Sequence, residues 1–350
     1  MVCGIQIFQY VSGVSIQTIC RYRSQYHKCQ KDINPGTEIE IICAHGYKRI
    51  PNEKQHIKCF GNSSFNEIPM RCKQNCGRIT SDAESLSRNG ISIELIMAPW
   101  HVSIFELVNS DYVYICSGSI VSPRIIITAA HCFWDEANLK IQMFTNFVIK
   151  AGSSTKIYSL HDGKSQIVQV NQIHIPERYR GRDNNQRDDI AFLKLNTTLI
   201  YTENISPICI PDEILNTASS YVLSHQEGFI TGFGINNQLE RLKMLTLSHH
   251  DFRNKSPSDI HLANDKFYIY NNELSLVCRG DSGAGFVVKD TNLYDYEDKY
   301  RLLGVVSNTP TTKNDCTPEG EYVAVTNIFY IPWEFSRRLA NAIKEDEALF

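Results

Sequence analysis

Six of the twelve cysteines in this 350-residue chain fall before residue 73, at Cys3, Cys20, Cys29, Cys43, Cys59 and Cys72. No other feature limits the fold as strongly. A stretch of about 75 residues buries too little apolar surface to hold itself together, and cross-links that constrain the unfolded chain contribute about 2 to 4 kcal/mol each. Residues 1–75 are therefore expected to form a small disulfide-linked module, and the drop in cysteine density beyond it marks a domain boundary. No cysteines are arranged as paired CxxC knuckles with downstream histidine pairs. Disulfides made in an oxidising, extracellular compartment fit this usage better than zinc or a cytosolic redox site.

The rest of the composition excludes several classes. With 42% hydrophobic and 21% charged residues the chain can bury a sizeable core. A formal net charge of -3 without long single-sign runs names no nucleic-acid or membrane-surface partner. No run approaches the roughly 18 apolar residues that a membrane span requires. Sequons at Asn62, Asn196, Asn204 and Asn254 agree with a secreted glycoprotein. Residues 4–16 (GIQIFQYVSGVSI) lack the basic start and small-residue cleavage site of a signal peptide, which suggests an internal start within a longer secreted polypeptide.

Within the cysteine-rich stretch, PGTEIEIICAHGYKR reads as a turn and then a strand of alternating isoleucines ending at Cys43, while HIKC and IPMRC supply Cys59 and Cys72. This resembles a complement control (sushi) module, although Phe65 stands where such modules carry tryptophan, and they have four cysteines. The resemblance implies pairs Cys3–Cys59 and Cys43–Cys72, leaving Cys20–Cys29 as an extra loop bridge. Such a module either recognises a partner or acts as a spacer.

Three later segments carry chemistry. CSGSIVSPRIIITAAHCFW sets an apolar, β-branched strand directly before His131; RDDIAFLKL places Asp189 before an alternating run; VCRGDSGAGFVV presents Ser282 among glycines ahead of another apolar strand. A serine hydroxyl needs a base within hydrogen-bond reach, and imidazole can accept the proton and later return it. Each segment alone is moderate evidence, and Ser282 alone could be a structural serine in a glycine-rich turn. Together, in the order His, Asp, Ser, these residues and their neighbours resemble the chymotrypsin-like serine proteases over residues 76–350.

That resemblance implies an all-β fold of two six-stranded Greek-key barrels with a C-terminal helix. It assigns Ser282 as nucleophile, His131 as base and Asp189 as the carboxylate that fixes the imidazole tautomer. The amides of Gly280 and Ser282 would hold the developing oxyanion, each such donor being worth about 3 kcal/mol. Asp188 is expected to be a solvated charge. Neither metal nor cofactor is required. Disulfides Cys116–Cys132, Cys278–Cys316 and Cys76–Cys209 follow from the same resemblance, the last tethering the module after activation. In the family a new N-terminus pairs with the aspartate before the nucleophile, here Asp281. Spacing from Trp100 and His101 puts the scissile bond between Leu86 and Ser87, with Arg88 and Arg78 as rival sites. The specificity pocket maps to Leu276, Thr309 and Gly320. With no acidic residue at its floor, it is expected to accept a small or medium apolar residue such as Leu or Val before the cut.

Other positions depart from the family: Ala284 and Gly285 follow the nucleophile's glycine, Phe233 lies between Gly232 and Gly234, and Asn308 replaces an aromatic after Ser307. The chain ends in PWEFSRRLANAIKEDEALF, in which Trp333, Leu339 and Ile343 suggest an amphipathic helix packed on the second barrel. The expected organisation is a module over 1–75, a linker and activation segment over 76–86 and a protease domain over 87–350. The combination resembles the insect modular serine proteases, which implies an initiating role in an extracellular innate-immune cascade. Its partners would be downstream zymogens, a pattern-recognition protein gathered through the module, and serpin-type inhibitors. The alternative is a catalytically silent, haptoglobin-like binding protein on the same fold.

Overall fold

The computed structural model describes residues 3–4, 15–29, 32–60, 70–79, 98–158, 163–211, 224–234, 238–255, 263–270, 277–290, 299–308, 316 and 322–347. The chain divides into two compact units. One comprises residues 1–75 with 200–202 and 344–350; the other comprises 76–199 and 203–343.

The smaller unit is built around a four-stranded antiparallel sheet in which Ile16–Tyr22 pairs with both Gln25–Lys28 and Glu38–Cys43, and Glu38–Cys43 pairs with His56–Lys58. The alternating isoleucines act as period-2 patterning dictates, with Ile39 and Ile41 buried beside Ile16, Ile33, Ile57 and Met70. Disulfides Cys20–Cys29 and Cys43–Cys72 brace this small core. Cys59 is disulfide-bonded; the side chain of Cys3, its expected partner, lies outside the described residues.

The larger unit contains two closed barrels. The first is formed by β1 (His101–Val108), β2 (Asp111–Ser122), β3 (Ile125–Thr128), β4 (Phe147–Ala151), β5 (Gln166–His174) and β6 (Ala191–Leu195), joined in the order β1-β2-β3-β6-β5-β4. The second is formed by β7 (Glu227–Gly232), β8 (Glu240–Leu247), β9 (Lys266–Tyr270), β10 (Gly285–Asp290), β11 (Lys299–Asn308) and β12 (Val323–Asn327), in the matching order β7-β8-β9-β12-β11-β10. Neighbouring strands within each barrel pair antiparallel among the described residues, and closure of the sheet is what removes free edges in such a fold. The β-branched run before His131 forms β3, buried along its whole length. Ile230, Phe267, Phe286, Val306 and Val325 belong to the core of the second barrel.

Among the described residues there are two α-helices, α1 (His249–Lys255) between β8 and β9, and α2 (Trp333–Glu347) after β12. In α2 Phe335, Leu339 and Ala340 are buried, while Trp333 is exposed beneath the Arg337 guanidinium. The expected docking of this helix on the second barrel is corrected at Phe335, whose ring packs against Phe192 of β6 in the first barrel at 5.4 Å. The reason is sequence phase: the aromatic facing inward is Phe335, two residues beyond the exposed Trp333. Among the described residues no helix is long and apolar enough to cross a membrane.

Candidate active site

His131 sits just beyond β3, in a short 3-10 turn over Ala130–Phe133, and the neighbouring Cys132 is tied to Cys116 of β2. This anchoring holds the imidazole near a carboxylate 58 positions further on. The His131 amide donates to Asp189 Oδ1 at 2.9 Å, and His131 Nδ1 lies 2.8 Å from Asp189 Oδ2. Ser307 of β11 donates to the same Oδ2 at 2.5 Å. Asp189 has no exposed surface, whereas the His131 side chain retains 22%. Burial pushes the Asp189 carboxyl pKa up, but the imidazole beside it, the ammonium of Lys266 and the hydrogen bond from Ser307 outweigh that and hold it at about 2. With Nδ1 occupied by the carboxylate, Nε2 is the nitrogen left to serve as base.

Ser282 is presented by the turn leading into β10. Its carbonyl accepts from the Ser117 amide at 2.8 Å, and the next amide, Gly283, donates to Val306 of β11 at 2.8 Å, so the turn is pinned to both barrels. Gly283 shows how close the histidine segment lies. At φ 84° it has no room for a side chain: a Cβ would fall 2.2 Å from Ser117 O and from Thr128 Oγ1, and 3.2 Å from the Ala129 amide nitrogen. The residue after Ser282 therefore touches the backbone two residues before His131.

Gly280 is held as tightly. Its φ is 99°, and a Cβ would lie 2.5 Å from the ring of Tyr114. The Tyr114 hydroxyl donates to Gly280 O at 2.5 Å, and the Ser117 hydroxyl lies 2.8 Å from the phenol oxygen and 3.1 Å from the same carbonyl. Tyr114 is wedged edge-on against Phe105 and Phe233. Together these groups fix the peptide lying between the two amides expected to meet an oxyanion. Asp281 is buried and accepts from the amides of Phe233 at 2.8 Å and Gly234 at 3.3 Å through Oδ1, and of Cys278 at 2.8 Å through Oδ2. Burial nevertheless raises its carboxyl pKa. Gly232 is required here, since a Cβ would sit 2.3 Å from Asp281 Oδ1.

Asp188 is not the solvated charge expected from sequence. It is fully buried, its carboxylate pairs with Arg178 Nε at 2.6 Å, and its amide donates to Asp265 Oδ2 at 2.8 Å. The left-handed backbone at Asp188, φ 60°, distinguishes the local turn from an extended approach to the strand. Disulfides Cys76–Cys209 and Cys278–Cys316 are present. Leu86, Ser87, Leu276, Thr309, Gly320 and Asn62 lie outside the described residues. Asn196 and Asn254 are exposed and Asn204 is half-buried. Cys116, His131 and Cys132 cluster closely enough to suggest a metal, but both sulfurs are consumed in their disulfide. Sequence reasoning missed Tyr114, Lys266 and Thr326 beside the site; a lysine opening the apolar strand KFYIY was the one visible signal.

Two six-stranded barrels of matching topology, with an imidazole–carboxylate pair beside a glycine-bound serine turn, define the chymotrypsin-like class. The trypsin family model matches residues 88–333, and the chain belongs to that family. It is 30% identical over 305 residues to a modular serine protease of Drosophila melanogaster, covering 85% of this chain and 48% of that protein. Clotting factor C of Tachypleus tridentatus is 25% identical over 312 residues, 85% of this chain and 30% of the relative. Urokinase-type plasminogen activator of Gallus gallus is 24% identical over 309 residues, 83% of this chain and 67% of that protein. The chain thus spans about half or less of the first two relatives.

Proposed function

We propose that this chain is a secreted serine endopeptidase zymogen in which Ser282 is the nucleophile, His131 the base and Asp189 the orienting carboxylate. The observation that carries the reading is the Asp189–His131 pair beside a serine turn packed, through Gly283, on the histidine segment. In this mechanism Ser282 Oγ attacks the scissile carbonyl while its proton passes to His131 Nε2. The amides of Gly280 and Ser282 receive the oxyanion. The imidazolium then protonates the leaving amine, and water repeats the sequence on the acyl-enzyme.

The finer reading extends this. Residues 1–75 serve as a sushi-like recruitment module, 76–86 as linker and activation segment, and 87–350 as the protease domain. Cleavage between Leu86 and Ser87 frees an amine for Asp281, and the pocket of Leu276, Thr309 and Gly320 selects a small or medium apolar residue before the cut. Likeness to proteins named modular serine protease and clotting factor C supports an initiating place in an extracellular immune cascade. Downstream zymogens are then its substrates, a pattern-recognition protein recruits it, and serpin-type inhibitors restrain it. The test is reaction of the processed protein with a fluorophosphonate probe. Labelling confined to Ser282 and abolished in Ser282→Ala is expected; a processed wild type that resists the probe would instead mark a catalytically silent binding protein.

A further inference from the structure

Next to Asp189 in the fold lies a buried charge cluster that reaches its backbone carbonyl. Lys266, at the start of β9, is 5% exposed, and all three of its ammonium hydrogens have acceptors. Nζ lies 2.7 Å from Thr326 Oγ1, 3.0 Å from the carbonyl of Gln186 and 3.2 Å from Asp265 Oδ2. Each acceptor leads to the catalytic loop. The Thr326 hydroxyl, receiving from the ammonium, passes its own hydrogen to the Asp189 carbonyl at 2.8 Å. Asp265 Oδ2 also accepts from the Asp188 amide. Gln186 lies within that loop.

The loop needs such support. Asn185, Gln186 and Asp188 all adopt positive φ, at 50°, 50° and 60°, a region costly for residues with side chains. A buried ammonium is itself costly unless its hydrogen bonds are satisfied, so a fully satisfied one converging on this loop is a built feature. β9 and β12 belong to the second barrel and the loop to the first, so the cluster joins the two barrels where the triad straddles them.

We propose that Lys266 is a positioning residue for Asp189: with Asp265 and Thr326 it clamps the strained 185–188 loop so that the carboxylate meets His131 in register. The proposal rests on the protease reading above. Lys266 touches neither substrate nor reacting atoms.

The test uses the full processed protein and fluorophosphonate inactivation, separated into the maximal rate (kinact) and the half-saturating concentration (KI). Thr326→Val keeps the lysine and the side-chain shape but breaks the link to the Asp189 carbonyl. The paired Asp265→Asn/Lys266→Met removes both charges without orphaning either. Both variants are expected to lower kinact about tenfold or more with KI within about twofold, since small misplacements of catalytic groups cost rate more than binding. A merely structural role lowers the melting temperature and leaves kinact alone. Folded Thr326→Val protein inactivated at the wild-type kinact overturns the proposal, whatever the double variant does. A wild type that is never labelled refutes the protease reading instead, and the positioning role falls with it.

Discussion

Replacing Gly283 by alanine attacks the contact on which the active-site geometry turns. The added methyl meets Ser117 O and Thr128 Oγ1 at 2.2 Å, and Ala129 N at 3.2 Å. The first and third are backbone atoms and the second is held by its own hydrogen bond to Ser117 O at 2.7 Å, so none is the free end of a flexible side chain. A positive φ of 84° adds about 1 to 2 kcal/mol for any residue with a Cβ, and overpacking adds about 1 to 3 kcal/mol. The combined cost is therefore about 2 to 5 kcal/mol, and the least costly relief is to slide the Ser282 turn away from the histidine segment. Two assays read this together: urea denaturation for stability, and fluorophosphonate labelling for the site. Expected are a fall in stability of that size and a labelling rate reduced at least about a hundredfold, because about 1 Å of misplacement suffices. Gly283→Ala protein with unchanged stability and unchanged labelling would refute the claim that the serine turn abuts the strand leading to His131.

Further predictions concern buried polar groups. His101 lies wholly inside the protein, and burial depresses its pKa to about 3 from 6.5, so between those values the unfolded chain binds a proton that the folded chain does not. Stability is then full above about pH 6.5 and falls by about 1.4 kcal/mol per pH unit as pH drops toward 3; His101→Gln should flatten that part of a stability–pH curve, and an unaltered slope would contradict the assignment. Tyr114→Phe removes the 2.5 Å bond to the Gly280 carbonyl and should slow labelling of Ser282 about tenfold while costing about 1 kcal/mol of stability. Equal labelling rates would show that the phenol does not hold the peptide between the oxyanion donors.

Residues that act through local pattern were legible in sequence. The β-branched run before His131 became buried β3, the alternating isoleucines of the small unit point inward, and the glycines around Ser282 sit at backbone angles that suit them. What failed was long-range. Asp188 looked like a surface charge because nothing nearby in sequence marks the exposed Arg178 as the partner of its buried carboxylate across a left-handed turn. Helix α2 was legible as amphipathic, but its packed face was misplaced at Trp333, which is exposed, and Phe335 met Phe192 of the first barrel. The Lys266 cluster assembles residues near 186, 265 and 326, separations over which no periodic signal survives.

The most direct trial of the account compares labelling of Ser282 in the processed wild type and in Asp189→Asn, which keeps the shape but lets the side-chain amide hold the wrong imidazole tautomer. If the 2.8 Å contact to His131 Nδ1 organises the base, the rate constant falls by about four orders of magnitude with the fold intact. A variant labelled as fast as the wild type would show that Asp189 and His131 do not act on Ser282.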